Sequence, residues 1–219
     1  MKQSKTQKLV TCAMLIALGS SVSLVSEWIP FLNLPFGGTV TLASMLPLVL
    51  ISYLYGIRWG LGSGFVFALL QMAIGFKTVS ALFLPDSDSY MGSIGIALCI
   101  LLLDYIAAYT IIGLGGIFRN RLSRTKALVW GSVLALSLRY LAHLLSGFIF
   151  YGAWASWFFE ESAAAELFFS KWIMSHLSGY GLSLAYSAIY NGLYMLPEII
   201  ITALAAVAVA RLPRLKKED

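Results

Sequence analysis

RYLAHLLSGFIFYGAW, residues 139–154, is apolar enough to lie in a membrane, yet it carries an arginine and a histidine. Charged and titratable side chains are costly in hydrocarbon, so at membrane depth they face a protein interior or a water-filled cavity. Arg139 and His143 are four residues apart and share one helical face. Ser146 and Gly147 continue that face one turn later, and the helix then runs into Phe148, Phe150, Tyr151, Trp154 and Trp157. A polar stripe opening onto aromatic rings reads as one wall of a pocket, with the rest of the chain as scaffold.

Working outward, the 219 residues are 59% hydrophobic and 11% charged. A soluble domain carries about 25% charged residues, so this composition belongs to an integral membrane protein. Spans of about 20 residues plus loops allow five to seven helices. Alternating ten-residue barrel strands are absent, and the first apolar segment lacks a small-residue cleavage site. The expected fold is an all-α bundle forming one membrane domain, with six spans near 9–25, 39–55, 60–76, 93–118, 127–151 and 181–210. Within it, Gly56, Gly60 and Gly64 make a close-packing ridge, and Ala13 and Ala17 lie four apart on the first span. That alanine pair reads either as internal packing or as a docking face for a partner. Cys12 and Cys99 read as small core residues.

Lysine and arginine are asymmetric. Three lie in the amino-terminal tail, one at Arg58, four between Arg119 and Lys126, and four in the carboxyl-terminal tail, which makes twelve of the fifteen. The opposite loops hold Lys77 and Lys171. The positive-inside rule then puts both termini in the cytoplasm. The loops at 27–38, 77–92 and 152–180 are outside, long and aromatic. Leu167, Phe168 and Trp172 mark a short interfacial helix in the last of them. The net charge of +5 sits in short turns and tails, which does not suggest nucleic acid.

Four titratable residues fall inside spans: Asp104, Arg139, His143 and Glu198. Depth along the helices, at about 1.5 Å per residue, pairs Arg139 with Glu198 as a structural ion pair. Asp104, His143, Tyr186 and Asn191 sit higher and converge. A carboxylate, an imidazole, an amide and many ring faces suit a small cationic or heteroaromatic molecule. HExxH, GxSxG, Cys/His metal spacing and the P-loop are all missing, so neither catalysis nor Walker-type ATP binding is expected.

LPFGGTVTLASMLP (34–47), LLDYIAAYTIIGLGGIF (102–118), RYLAHLLSG (139–147) and SLAYSAIYNGLYMLPE (183–198) occur in this order across most of the chain. Together they resemble the thiamine-specific substrate-binding (S) components of energy-coupling factor vitamin transporters. The resemblance implies six helices in a prokaryotic cell membrane and thiamine bound near the outer face under the loop after the first helix. It implies no cofactor of the chain's own: ATP is used by two cytoplasmic ATPases, which drive a transmembrane coupling subunit that docks on Ala13 and Ala17. It assigns vitamin contacts to Asp104, Tyr105, His143, Tyr186 and Asn191. The aromatic after the fifth helix is Tyr151, Trp154 or Trp157, and the lid aromatic is Trp28 or Phe36. A thiamine precursor or another heterocycle fits the same architecture. The rival readings are an intramembrane enzyme using His143 and Asp104, and an ion-coupled permease.

Overall fold

Ser4 begins the first helix by a reciprocal cap. Its hydroxyl accepts from the Gln7 amide at 3.2 Å, while the Gln7 side chain accepts from the Ser4 amide at 2.8 Å. From there the computed structural model, which describes residues 4–34, 38–87 and 89–212, is helical, with no β-strand among the described residues. The principal helices are α1 (Lys5–Glu27), α2 (Leu46–Tyr55), α3 (Ile57–Ile74), α4 (Ile94–Gly116), α5 (Arg124–Phe150) and α6 (Gly179–Ala210). All but α2 are long and apolar enough to cross a membrane. Phe36 and Asp88 lie outside the described residues, as do the basic residues beyond Leu212.

The second expected span, 39–55, is helical only from Leu46. Thr41 gives its amide to Glu198, and Ala43 takes a left-handed φ of 62°, so residues 41–45 form a turn that the helix cannot include. Pro47 then sits in the first turn of α2, where its missing N–H costs nothing. Though shortest, α2 is the centre of the bundle: Leu46 to Tyr53 are all buried. A helix apolar on every side belongs inside. Around it pack Cys12 and Ile16 of α1, Phe67 of α3, Ile112 of α4, Leu128 and Leu136 of α5, and Met195 of α6.

The glycine ridge lets backbones touch. A Cβ on Gly60 would meet Ser52 at 2.5 Å and the Gly113 carbonyl at 2.6 Å, and one on Gly64 would meet the Tyr109 carbonyl at 2.7 Å. α4 is not one regular helix. Leu102–Ala107 widens into a π-helical turn, and Ile111–Gly116 tightens into a 3-10 helix. One end of the bundle is basic. There Lys8 lies 5.7 Å over the Tyr55 ring, Arg119 donates to the Leu54 carbonyl, and Arg124 donates to the Leu212 carbonyl. The other end is capped by the 152–178 segment, whose Phe158, Phe159 and Ile173 pack on Leu182 and Tyr186. Within the cap, the short helix Ser170–His176 exposes Trp172, stacked on His176 at 4.6 Å, and Phe168 just before it is almost wholly exposed. Cys12 is buried and Cys99 exposed, both as free thiols.

Candidate functional site: a tyrosine-walled chamber

Between the helices and the segment that leads into α2 lies a cavity of about 520 Å³, within the usual range of small-molecule sites, roughly 300–1,000 Å³. Its polar centre is built from α4 and α5. Asp104 and Tyr105 both stand on the π-helical turn and both line the cavity. Such turns recur at functional sites because they re-aim side chains. Across from them, one face of α5 contributes Arg139, His143 and Gly147.

These groups form one chain of bonds. Arg139 Nε donates to His143 Nε2 at 3.2 Å, and His143 Nδ1 lies 2.9 Å from Asp104 Oδ1. Ser146 Oγ donates to Asp104 Oδ2 at 2.8 Å. A guanidinium has only donors, so Nε2 must accept, and the ring proton sits on Nδ1, facing the carboxylate. His143 is therefore held neutral, with both nitrogens engaged, between a cation and an anion. The guanidinium also lies 4.6 Å over the Tyr109 ring and reaches its hydroxyl at 3.4 Å.

α6 supplies the facing wall. Tyr186, Tyr190 and Tyr194 recur every four residues and all line the cavity. Their rings meet in sequence at 5.6 and 6.3 Å. Asn191 also lines it, but its polar atoms hold helices together. Nδ2 donates to the His143 and Ser187 carbonyls, and Oδ1 accepts from the Tyr194 hydroxyl at 2.6 Å.

Asp104, Tyr105, His143, Tyr186, Asn191 and Tyr151 thus share one cavity. Two expected contacts do not. Trp28 caps α1 and is 81% exposed, and Trp154 packs edge-on against Trp157 at the rim. Neither lines the chamber; the segment after α1 contributes Gly38, Thr39 and Thr41 there, and Tyr151 lines it after α5.

The expected Arg139–Glu198 ion pair is also absent. Arg139 turns to His143 and Tyr109, and the Glu198 carboxylate is taken by the amide and hydroxyl of Thr41. Neutral donors satisfy the buried carboxylate directly, and the Arg139 guanidinium acts on it only from beyond ion-pair contact.

Several lining residues escaped the sequence reading: Glu27, Gln71, Tyr109, Tyr190 and Tyr194. The i, i+4 tyrosine repeat was the available signal for two of them. Gln71 is 5% exposed, and its Nε2 has no hydrogen-bond partner among the described residues. A buried unpartnered amide on a cavity wall is a donor waiting for an acceptor.

A second hollow, about 580 Å³, opens on the outer surface between α1 and α3. It is larger but almost wholly apolar, lined by Ala13, Ala17, Gly62 and Ser63 with Arg58 at one end. Polar specificity resides in the chamber.

Membrane-length apolar helices around a chamber that mixes charged, amide and aromatic side chains define a membrane protein with a small-molecule site. The chain belongs to the thiamine transporter protein family (Thia_YuaJ), whose sequence model matches residues 9–86 and 87–158. This is a transport family, not an enzyme family. The thiamine transporter ThiT of Bacillus subtilis strain 168 is 32% identical over 231 residues, covering 100% of this chain and 99% of that protein. A solved structure of ThiT from Listeria monocytogenes shares the fold at a TM-score of 0.66 and 18% identity, with 97% of this chain and 98% of that one covered.

Proposed function

We propose that the chain is a thiamine-binding S component of an energy-coupling factor importer in a prokaryotic cell membrane. The observation that carries this reading is Asp104: a carboxylate in a tyrosine-walled chamber, in a chain similar over its full length to a thiamine transporter. Thiamine combines a permanent thiazolium cation with an aminopyrimidine. Asp104 offsets the charge, and Tyr105, Tyr151 and Tyr186 offer ring faces for stacking and cation–π contact. Their hydroxyls, together with Gln71, offer hydrogen bonds to the heteroatoms. His143 fixes the carboxylate in place. In this reading α2, with the turn before it, completes a sixth span, and the basic end with both termini is cytoplasmic.

Titration of the purified protein with thiamine by isothermal calorimetry tests the proposal. Saturable binding at or below micromolar thiamine is expected, and no binding at that concentration overturns it. Gln71→Leu keeps the bulk of the side chain but removes the donor. It is expected to weaken thiamine about tenfold, the worth of one buried hydrogen bond with its unpaired partner.

The α1–α3 hollow supports docking of the coupling subunit on Ala13 and Ala17, with the ATPases beneath. Small residues let a foreign helix approach closely. A Cβ on Gly62 meets nothing within 4 Å, so a larger side chain there fills the hollow without disturbing the bundle. Gly62→Trp is expected to leave thiamine affinity within about twofold. Uptake by vesicles carrying the complete importer should fall about tenfold or more, since a filled groove removes a helix–helix contact.

A further inference from the structure

The Glu198 carboxylate is 2% exposed and lies outside the chamber lining, with Thr41 holding it. The Thr41 amide donates to it at 2.7 Å. The Thr41 hydroxyl donates too and stays within 2.6 Å of Ser44 Oγ. Thr41 belongs to the segment after α1 that runs over the chamber, where Gly38, Thr39, Thr41 and Met45 line it. At its far side this segment is tied to itself: Asn33 accepts from the Thr39 hydroxyl and donates to the Glu27 carbonyl. At its near side it meets α6 twice, one helical turn apart. Gly38, at φ +84°, lies so close to the Tyr194 ring that a Cβ would stand 2.9 Å from it, and Thr41 bonds Glu198. Two residues beyond Thr41, Ala43 holds its left-handed φ of 62°. A non-glycine residue keeps that conformation only where its neighbours over-determine it. Here Glu198 fixes the residue two before it, and Ser26 accepts from the Leu42 amide.

We propose that Glu198 is a positioning residue: through Thr41 it clamps the roof segment of the chamber to α6, and so sets how fast the solute leaves. The same helix carries Tyr186 and Asn191 in the chamber wall, so wall and roof are held as one unit. A buried carboxylate accepting from a backbone amide is a strong, directional clamp, and losing it leaves a buried N–H unpaired. For its ligand arm the proposal rests on the thiamine-binding reading; its exchange arm does not.

Hydrogen–deuterium exchange of the full chain in lipid nanodiscs, without ligand, is the first measurement. In Glu198→Ala, amides of residues 39–46 are expected to exchange about tenfold faster or more, with α5 and α6 at wild-type rates. Glu198→Gln still accepts from the Thr41 amide and should stay within about threefold of wild type. The second measurement is the release of radiolabelled thiamine from the preloaded protein. It should be about fivefold faster or more in Glu198→Ala, with the association rate within about twofold. Unchanged exchange at 39–46 in Glu198→Ala overturns the clamp. Loss of protection throughout α5 and α6 also overturns it, because Glu198 is then only part of the scaffold. Faster exchange with unchanged thiamine release overturns the claim about solute exit. If the unaltered protein binds no thiamine, the functional reading fails while the exchange measurement still decides the clamp.

Discussion

Asp104→Ala is expected to weaken thiamine binding by about 100-fold or more, because its half-buried carboxylate is the charge partner the chamber offers a cationic solute. The side chain at 104 does three things at once. It accepts from His143 Nδ1 at 2.9 Å and from Ser146 Oγ at 2.8 Å, and through His143 it faces the Arg139 guanidinium. Alanine leaves two donors unpaired and removes the anion beside Arg139 in the chamber, so a cationic solute is held less well. Truncating one partner of a close charge pair costs roughly 2–5 kcal/mol, and each 1.4 kcal/mol is about tenfold in affinity. Asp104→Asn separates charge from shape. Its amide can still accept from one donor, but it carries no charge. Thiamine should then lose more affinity than the neutral aminopyrimidine fragment of the vitamin. Calorimetric titration of both ligands against both variants, on monodisperse protein, measures this. Equal losses for the charged and neutral ligands would show that Asp104 serves shape and not charge.

The sequence made the helices legible because membrane spans are written as long apolar runs, and the polar interruptions in those runs pointed inward. Asp104, His143, Tyr186 and Asn191 stood out because each is expensive at membrane depth. Their roles were less legible. Asn191 looks like a ligand contact on paper, but its amide is spent on the His143 and Ser187 carbonyls. Arg139 and Glu198 looked like partners because depth along two helices was the only coordinate available. The real partner of Glu198 is Thr41, 157 residues away, in a stretch that reads as the start of a span. The same long-range bond delays α2 until Leu46. The π-helical turn under Asp104 and Tyr105 has no signature in hydropathy: Asp104 marks a polar break in the span but not a change in helix type. Tyr190 and Tyr194 were visible, but a tyrosine inside a span reads equally well as a helix-packing residue. Trp28 and Trp154 stand outside the chamber lining: an aromatic in a loop says nothing about which way the loop turns.

Gly131→Val is expected to abolish folding, and Gly131→Ala to impair it severely. A Cβ at 131 would overlap the Gly115 carbonyl oxygen and stand 3.0 Å from its carbon, so the clash is with backbone and no side chain can swing aside. Overpacking a tight core costs roughly 1–3 kcal/mol, and more where backbones must part. Here α5 must separate from the 3-10 end of α4. Those helices carry His143 and Asp104, so the strain reaches the chamber as well as the core. The yield of monodisperse protein and thermal unfolding in detergent measure the effect. Gly62→Ala is the matched control: its Cβ meets open space, and glycine within a helix costs roughly 0.5–1 kcal/mol relative to alanine, so stability should be unchanged or slightly higher. Both substitutions add one methyl group to a helical glycine. If they prove equally costly, the close α4–α5 crossing is not what Gly131 serves; a loss confined to Gly131 ties the chamber's geometry to a contact about two helical turns from Arg139.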